Sequence, residues 1–270
     1  LVGLLLFLVA CAMAFPLVFA ISSSLKPLDE LFRFPPTLFP RHPTIDNFSD
    51  LLVTMGQSWV PFSRYITNTV VITLVGTLGH LLIASLAAYV LAKYDFPLGK
   101  QFFALVVTAL MFNGYVTAIP NYLTMTRLNL VDTHWAVILP AFAAPIGLFL
   151  MKQFSEGIPT EMLEAARIDG ASEARTFVKI VLPMVKPGIG ALAIFTFINS
   201  WNDYFMQLIM LSSTSNLTIS LGIAKLQAEN STDFGLIMAG AALAAVPIII
   251  IFLIFQKYFT KGIAMGAVKG

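Results

Sequence analysis

The chain contains 270 residues, of which 58% are hydrophobic and 11% are charged. Because a typical soluble domain carries about 25% charged residues, this composition indicates a membrane protein. The formal net charge of +2 is too small to indicate a nucleic-acid partner. The single cysteine, Cys11, excludes an intrachain disulfide and a cysteine-based zinc site.

Apolar segments long enough to cross a bilayer recur along the chain, since a span needs about 20 apolar residues. We predict an all-α fold with six spans, at 1–21, 65–92, 102–119, 136–151, 187–210 and 234–256. The fourth is short and contains Pro140 and Pro145, which predicts a kinked helix packed among its neighbours. The sequence begins at Leu1 without a preceding basic segment, which argues against a signal peptide. We expect a short N-terminal tail ahead of Leu1.

The first connection, 22–64, is rich in proline and aromatic residues. Within it, 28–32 and 45–55 show short amphipathic patterns. A packed cap over the helices is the favoured interpretation. Contact with the membrane surface or with an external partner is the alternative.

The second predicted span contains small residues that favour close helix packing, and His80 lies near its middle. Because no acidic partner is close in sequence, a hydrogen-bonded packing role for His80 is favoured over a proton relay.

Two clusters of polar and aromatic side chains accompany the later spans. They comprise Asn113, Tyr115 and Asn121 at the end of the third span, and Trp201, Asn202 and Asp203 in the fifth. Amides hydrogen-bond hydroxyl groups and aromatic faces stack on sugar rings, so both clusters are candidates for a substrate passage. Interhelical hydrogen bonding by the first cluster and a structural role for Asp203 are the alternatives.

The connections between spans differ in their content of lysine and arginine. One set is more than twice as dense in these residues as the other. The denser set comprises 93–101, 152–186 and 257–270, and the sparser set 22–64, 120–135 and 211–233. Since basic connections face the cytoplasm, we predict cytoplasmic termini, a cytoplasmic loop at 152–186 and tail at 257–270, and an outer loop at 22–64. The whole of 1–270 is interpreted as one transmembrane domain.

The longest charge-dense stretch is 161–187, EMLEAARIDGASEARTFVKIVLPMVKP. It cannot lie in hydrocarbon and must face water. Strong helix formers lead to the stop signal Asp169–Gly170, Ser172 is placed to cap a second helix, and Pro183 and Pro187 end that helix. The predicted helix–turn–helix has two apolar faces, formed by Met162, Leu163, Ala166 and Ile168 and by Phe177, Ile180 and Val181.

The spacing within this stretch closely resembles the EAA loop of bacterial ABC-importer permeases. The matching pattern is Glu164-Ala165-Ala166, three residues, Gly170, nine residues, then Ile180-Val181-Leu182-Pro183. The sequence Asp169-Gly170-Ala171-Ser172 resembles the corresponding sequence in the carbohydrate-uptake branch, the relatives of the maltose permease subunits. The resemblance implies a coupling helix that docks on a cytoplasmic ATPase. The implied coupling residues are Glu161, Glu164, Ala165, Ala166, Asp169, Gly170, Ala171, Ser172 and Phe177.

The last residues resemble the maltose-type permease tail that reaches into the ATPase dimer interface. The matching positions are Gly266, Val268, Lys269 and Gly270. The resemblance implies a bacterial inner-membrane protein whose partners are a second permease subunit, an ATPase dimer and an extracytoplasmic solute-binding protein. ATP and Mg²⁺ would bind the ATPase, and no cofactor is expected on this chain.

Catalytic signatures are absent from the sequence. It has no phosphate-binding glycine loop, paired carboxylates or nucleophile elbow, and His42, His80 and His134 are too scattered to indicate a metal site. We therefore expect a transport subunit and not an enzyme. The alternatives are an ion-coupled secondary transporter, a non-transporting scaffold or sensor, and a permease for another polar solute such as a glycerol phosphate. A phosphate substrate would require buried Arg or Lys, which the predicted spans lack.

Overall fold

In the computed structural model of the chain, residues 2–56, 60–229 and 233–267 are described, and every regular element among them is a helix. The first six helices are α1 (Val2–Ser24), α2 (Leu28–Leu31), α3 (Asp46–Gly56), α4 (Phe62–Lys93), α5 (Gly99–Ala109) and α6 (Gly114–Arg127). The next five are α7 (Trp135–Phe142), α8 (Pro145–Glu156), α9 (Thr160–Ile168), α10 (Glu173–Thr176) and α11 (Leu182–Met184), with a π-helical turn at Phe177–Val181. The last four are α12 (Lys186–Asn202), α13 (Phe205–Met210), α14 (Ile219–Glu229) and α15 (Phe234–Ala267), with a 3₁₀ turn at Thr214–Asn216. The predicted all-α class is confirmed.

Four helical segments are long and apolar enough to cross a membrane. They are Val2–Ser24, Phe62–Lys93, Trp135–Glu156 and Phe234–Gln256. Two further helix pairs meet the same criterion only together, and each pair is sharply bent. The pair Gly99–Ala109 and Gly114–Arg127 is bent by 113°, and the pair Glu173–Met184 and Lys186–Asn202 by 77°. The described residues therefore contain four to six candidate spans.

The predicted third span, 102–119, was wrong as one continuous helix. Helix α5 ends at Ala109, and α6 begins again at Gly114. Between them the backbone of Asn113 is extended, and its side-chain oxygen accepts a hydrogen bond from the Tyr115 amide at 3.1 Å. An asparagine N-cap of this kind starts a new helix and favours a break before it.

The predicted fifth span, 187–210, was also wrong as one continuous helix. Helix α12 ends at Asn202, where Asp203 takes an extended conformation, and α13 follows as a separate short helix. The Asp203 carboxylate accepts a hydrogen bond from the Met206 amide at 3.2 Å. This carboxylate satisfies an amide at the start of α13 that has no partner within the helix.

The predicted kink in the fourth span is confirmed. Helix α7 ends at Phe142 and α8 begins at Pro145. Proline has no amide hydrogen and disfavours a helical conformation in the residue before it, so the interruption falls at Ala143–Ala144. Pro140 is accommodated inside α7.

One compact unit comprises the described parts of Leu1–Asn68 and Ser213–Ile249. In it, the segment after α1 folds back through buried polar contacts. The Asn47 amide nitrogen donates to the carbonyl oxygens of Ser24 and Lys26 at 2.9 and 2.7 Å. The Glu30 carboxylate accepts from the Arg41 amide at 2.8 Å, a bond that holds the pKa of Glu30 below its usual range. The described part of the segment after α1 is thus folded, which is compatible with the packed-cap interpretation.

The second compact unit comprises the described parts of Thr69–Ser212 and Ile250–Gly270. In it, α8 packs against α5 and α12, while α13 packs against α6 and α7. One buried apolar cluster joins α4, α8, α12 and the charged stretch. Its fully buried members include Ala88, Met151, Val181 and Leu192. Each large side chain buried there stabilises the unit by about 1.5–3 kcal/mol, so the charged stretch is firmly attached to the apolar helices.

Candidate functional site

The turn at Gly170 ends α9 in the way that the sequence predicts. Gly170 has a φ of +72°, in the left-handed region. The Ala171 amide donates to the Ala166 carbonyl at 2.9 Å, and the Gly170 amide donates to the Arg167 carbonyl at 3.0 Å. This pair of bonds is the Schellman arrangement, which satisfies carbonyls at a helix end and favours glycine at the left-handed position.

The second helix of the charged stretch begins at the predicted cap. The Arg175 amide donates to the Ser172 hydroxyl at 3.4 Å, and Ser172 is extended. After α10 the chain passes through the π turn Phe177–Val181 and reaches α11, which contains Pro183. A π turn relieves the crowding that a proline causes in the preceding helical turn. The helix–turn–helix prediction is confirmed, and its second helix ends near Val185, between the two prolines.

The two faces of α9 have different surroundings. Leu163 and Ala166 are buried, and Leu163 belongs to the apolar cluster together with Phe177 of the second helix. The expected apolar face was wrong for Met162 and Ile168, which are 43% and 87% exposed. Ile168 lies on the side of α9 opposite Leu163 and Ala166, and Met162 lies at the margin of the buried side, where it remains partly exposed.

The exposed face of the α9 turn carries most of the residues that the resemblance assigns to coupling. They are Glu161, Glu164, Ala165, Asp169, Gly170 and Ser172, with Ala171 partly exposed. This face combines carboxylates with the exposed side chains of Met162 and Ile168. Such a surface suits a partner groove that offers basic side chains and apolar contacts.

A network of hydrogen bonds connects the Gly170 turn to the hairpin that follows α4 (residues 94–98). The Tyr94 hydroxyl donates to the Glu173 carboxylate, and Arg167 donates to the Tyr94 oxygen at 3.1 Å and to Glu173 at 3.3 Å. The Tyr89 hydroxyl also donates to Glu173, at 3.3 Å. The bond from Tyr94 holds the pKa of Glu173 below its usual range. We did not anticipate this network from the sequence, because its members are separated by up to 84 residues.

Lys93 provides a second attachment between α4 and the end of α8. Its ammonium group donates to the carbonyl oxygens of Glu156 and Ile158, at 3.2 and 2.5 Å. A lysine bound to the last carbonyls of a helix satisfies acceptors that have no partner within the helix. Helices α4, α8 and the charged stretch are therefore joined by polar as well as apolar contacts.

Replacement of Tyr94 by phenylalanine removes the hydroxyl shared by Arg167 and Glu173. Because these two side chains are about half exposed, we expect a loss of about 1 kcal/mol or less and about a twofold to fivefold lower transport rate per assembled complex. Rate measurements with reconstituted complexes check this, with Tyr122→Phe as the matched change outside the network. Because the pKa of Glu173 is lowered, its contribution is present at neutral pH and is lost only as the pH falls below the ordinary glutamate range. Equal rates for both variants would contradict a role for the network.

A cavity of about 870 Å³ lies among α4, α6, α7, α12 and α13. It brings together five of the six residues that the sequence marks as passage candidates. They are Asn113, Tyr115, Asn121, Asn202 and Asp203. Trp201 is not in the lining; it is buried and stacks on Phe197 with ring centroids 5.6 Å apart. The cavity therefore does not support the assignment of Trp201 to the passage, which stays a prediction.

The cavity wall combines amides, hydroxyls, aromatic rings and one carboxylate. Tyr115 and Phe205 meet edge to face with ring centroids 4.5 Å apart. Asp203 accepts a hydrogen bond at the start of α13 and also lines the cavity, so it has a structural role, and its place in a substrate passage stays a prediction. Neither lysine nor arginine occurs among the described residues that line the cavity. This wall suits a hydroxyl-rich ligand that carries no negative charge.

The predicted tail contact falls mostly beyond the described part of the chain. Gly266 belongs to α15, whereas Val268, Lys269 and Gly270 lie outside the described residues. Among the described residues, no group of three or more His, Cys, Asp or Glu side chains is placed to hold a metal ion.

Comparison with known proteins gives the same family from a family model and from related sequences. Residues 80–265 match the family model described as "Binding-protein-dependent transport system inner membrane component". The chain is 39% identical to the arabinooligosaccharides transport system permease protein AraQ of Halalkalibacterium halodurans, over 97% of this chain and 93% of the relative. It is 34% identical to AraQ of Bacillus subtilis, over 95% and 90%. It is 32% identical to the sn-glycerol-3-phosphate transport system permease protein UgpE of Escherichia coli, over 92% and 90%.

The fold is shared with a solved structure of a bacterial ABC transporter involved in the import of the acidic polysaccharide alginate. The TM-score is 0.82 with 22% sequence identity, covering 95% of this chain and 94% of that chain. The resemblance expected from the EAA spacing is confirmed, and with it a transport subunit that is not itself an enzyme. The chain belongs to the binding-protein-dependent transport system inner membrane components, the multi-pass permease subunits of ABC importers.

Proposed function

We propose that this subunit forms half of a passage for a neutral sugar or oligosaccharide and couples it to a cytoplasmic ATPase dimer. The observation that carries the proposal is the exposed Gly170 turn, whose reverse side is buried against α4, α8 and α12. The other half of the passage comes from a second permease subunit, and an extracytoplasmic solute-binding protein delivers the substrate. ATP and Mg²⁺ bind the ATPase and not this chain.

The proposed topology has six spans with both termini in the cytoplasm. The bent pair Gly99–Ala109 and Gly114–Arg127 then counts as one span, whereas in the other pair only Lys186–Asn202 lies in the membrane and Glu173–Met184 belongs to the cytoplasmic loop. The density of lysine and arginine supports this orientation, because the basic connections include 152–186. The coupling turn then lies on the side where ATP is available, together with the tail that contains Lys269.

The mechanism follows from the attachment of the coupling turn. Closure of the ATPase dimer moves the groove in which α9 lies. Because Leu163 and Phe177 are buried against the spans and Glu173 is hydrogen-bonded to the α4 hairpin, the turn and these helices move together. The cavity then alternates between the two sides of the membrane, as a two-state element biased by nucleotide on the partner.

The cavity supports a neutral saccharide as substrate. AraQ relatives are named for arabinooligosaccharides and UgpE relatives for sn-glycerol 3-phosphate. A phosphate or carboxylate substrate needs arginine or lysine for charge-assisted hydrogen bonds. The described cavity lining contains neither arginine nor lysine, and it includes the carboxylate of Asp203. Repulsion by this carboxylate disfavours an anionic ligand, so the sugar assignment is preferred to glycerol phosphate.

Stimulation of ATPase activity tests the substrate class. The complex, purified with its partners and reconstituted, is expected to respond to neutral oligosaccharides presented with the binding protein. The response to sn-glycerol 3-phosphate is expected to be absent, because the cavity lacks a cationic partner. Stimulation by sn-glycerol 3-phosphate alone would contradict the neutral-sugar assignment while leaving the family assignment intact.

The energy source is tested separately in whole cells. ATP depletion is expected to stop uptake, and an uncoupler that leaves ATP levels unchanged is expected to have little effect. An ion-coupled transporter would show the opposite pattern, since such transporters depend on coupling charges near the membrane centre.

A further inference from the structure

His80 joins the two arms of the kinked fourth span. It lies in α4, is 1% exposed and lines the cavity. Its Nδ1 atom lies 2.6 Å from the carbonyl oxygen of Ala141, in the last turn of α7. A carbonyl oxygen only accepts, so Nδ1 carries the hydrogen and donates it. The packing role expected for His80 is confirmed, and the partner shows what the residue holds.

The Ala141 carbonyl needs this donor because of Pro145. In a continuous helix the amide four residues later would donate to Ala141, but position 145 has no amide hydrogen. The Ala144 amide reaches the Ala141 carbonyl only at 3.3 Å. The His80 ring therefore supplies the short hydrogen bond that the helix itself cannot make at the kink.

The opposite edge of the His80 ring lies against α8. Its Nε2 atom has no hydrogen-bond partner among the described residues. It sits so close to Gly147 that a side-chain carbon added there would overlap Nε2 and its neighbouring ring atoms. The adjacent Gly79 shows the same closeness to α7, where an added carbon would overlap the ring of Phe142. Helix α4 thus touches both sides of the kink at two consecutive positions.

The kink forms part of the cavity wall. Ala141, Ala143, Pro145 and Ile146 line the same cavity as His80. The angle between α7 and α8 therefore contributes to the shape of the cavity that Asp203 also lines. We propose that His80 is a positioning residue, which holds the α7–α8 kink through Ala141 and Gly147 and thereby sets the shape of the transport cavity. The inference rests on the proposed function for its role in transport, but the geometry of the kink is testable without a substrate.

Substitutions at His80 and Gly147 separate the two contacts. His80→Asn places an amide nitrogen near the position of Nδ1, so it keeps the donor for Ala141 and removes the atoms that face Gly147. His80→Leu retains bulk but removes the donor. Gly147→Ala introduces the carbon that overlaps the histidine ring. The combination of His80→Asn with Gly147→Ala relieves that overlap.

The first measurement uses the complete complex without substrate. Cys11 is replaced by serine, and Ala143→Cys places a thiol at an exposed position in the interruption between α7 and α8. We expect the rate of thiol modification to change about threefold or more in both His80→Leu and Gly147→Ala. In His80→Leu the Ala141 carbonyl keeps only the longer bond from the Ala144 amide, and in Gly147→Ala the added carbon forces the arms apart. His80→Asn and the double variant are expected to stay close to the parent rate. Rescue by the double variant distinguishes positioning from a general loss of packing.

The second measurement uses linear arabinooligosaccharides with the binding protein and records ATPase stimulation. We expect the half-stimulating concentration to rise about fivefold or more in His80→Leu, with stimulation measured relative to the unstimulated rate of the same variant. Identical thiol-modification rates in all four variants would overturn the proposal. So would a Gly147→Ala defect that His80→Asn fails to relieve. If the parent complex shows no stimulation, the substrate assignment fails, while the modification rates still decide the role of His80.

Discussion

Gly170→Pro is expected to leave the complex assembled in the membrane but to reduce coupled uptake to about a tenth or less. Gly170 has a φ of +72°, whereas proline fixes φ near −65° and removes the amide that donates to the Arg167 carbonyl. The conflict costs about 3 kcal/mol or more at this turn. The turn must rearrange, and Glu164 and Asp169 then no longer present one surface to the ATPase. Uptake and ATPase activity measured on the same preparation should separate, with hydrolysis retained and its stimulation by substrate lost.

Gly170→Asn is the matched control for this position. Asparagine adopts the left-handed conformation more readily than other non-glycine residues, and no atom lies within 4 Å of the position that its Cβ would occupy. We expect uptake close to wild type. Wild-type uptake by Gly170→Pro would contradict the coupling role of the turn. An equal loss of uptake in both variants would indicate that position 170 tolerates no side chain. The left-handed backbone conformation would then not be the property that coupling requires.

Glu164→Lys is expected to produce the second large loss, a reduction of uptake by about tenfold or more. Glu164 lies on the exposed face of α9 beside Ala165, where we propose that it pairs with a basic residue of the ATPase. Reversal of its charge places like charges together at that interface, which costs several kcal/mol. Co-purification of the ATPase with the membrane subunits should fall together with uptake. Raised ionic strength should partly restore association, since salt screens the repulsion.

Asp95→Lys provides the control for charge alone. Asp95 is exposed in the hairpin that follows α4, outside α9, and the substitution changes the net charge by the same amount. We expect association and uptake near wild type. If Asp95→Lys matched Glu164→Lys in both measurements, the loss would reflect the overall charge of the cytoplasmic face and not a specific contact of α9.

Of the three breaks within the predicted spans, one was predicted from the sequence and two were not. Pro140 and Pro145 correctly predicted a kinked fourth span, because proline acts on the backbone locally. The breaks at Asn113 and Asp203 were not predicted, although both residues were marked as polar. Each side chain caps a new helix through a bond to a nearby amide. In an apolar stretch, a cap and a substrate ligand have the same sequence signal, so hydropathy alone treats the stretch as one span.

The candidate site likewise contains some features that the sequence predicted and others that it did not. The Schellman turn at Gly170 and the cap at Ser172 were predicted because their bonds join residues only a few positions apart. Of the passage candidates, Trp201 alone does not line the described cavity, because its orientation depends on how α12 packs against its neighbours. No periodicity distinguishes an aromatic ring in the core from one that lines a cavity.

The sequence by itself determined four features of the protein: its membrane class, its helical fold, the helix–turn–helix of the charged stretch and its family. They can be predicted because composition, turn chemistry and motif spacing are local properties of the chain. Only the tertiary structure decided which polar residues converge on the cavity, that Tyr94 fastens the loop through Glu173, and that His80 bridges the kink to Ala141. The last two contacts join residues 79 and 61 positions apart. These contacts form because whole helices pack closely together. The sequence of one helix does not show which other helices will pack against it.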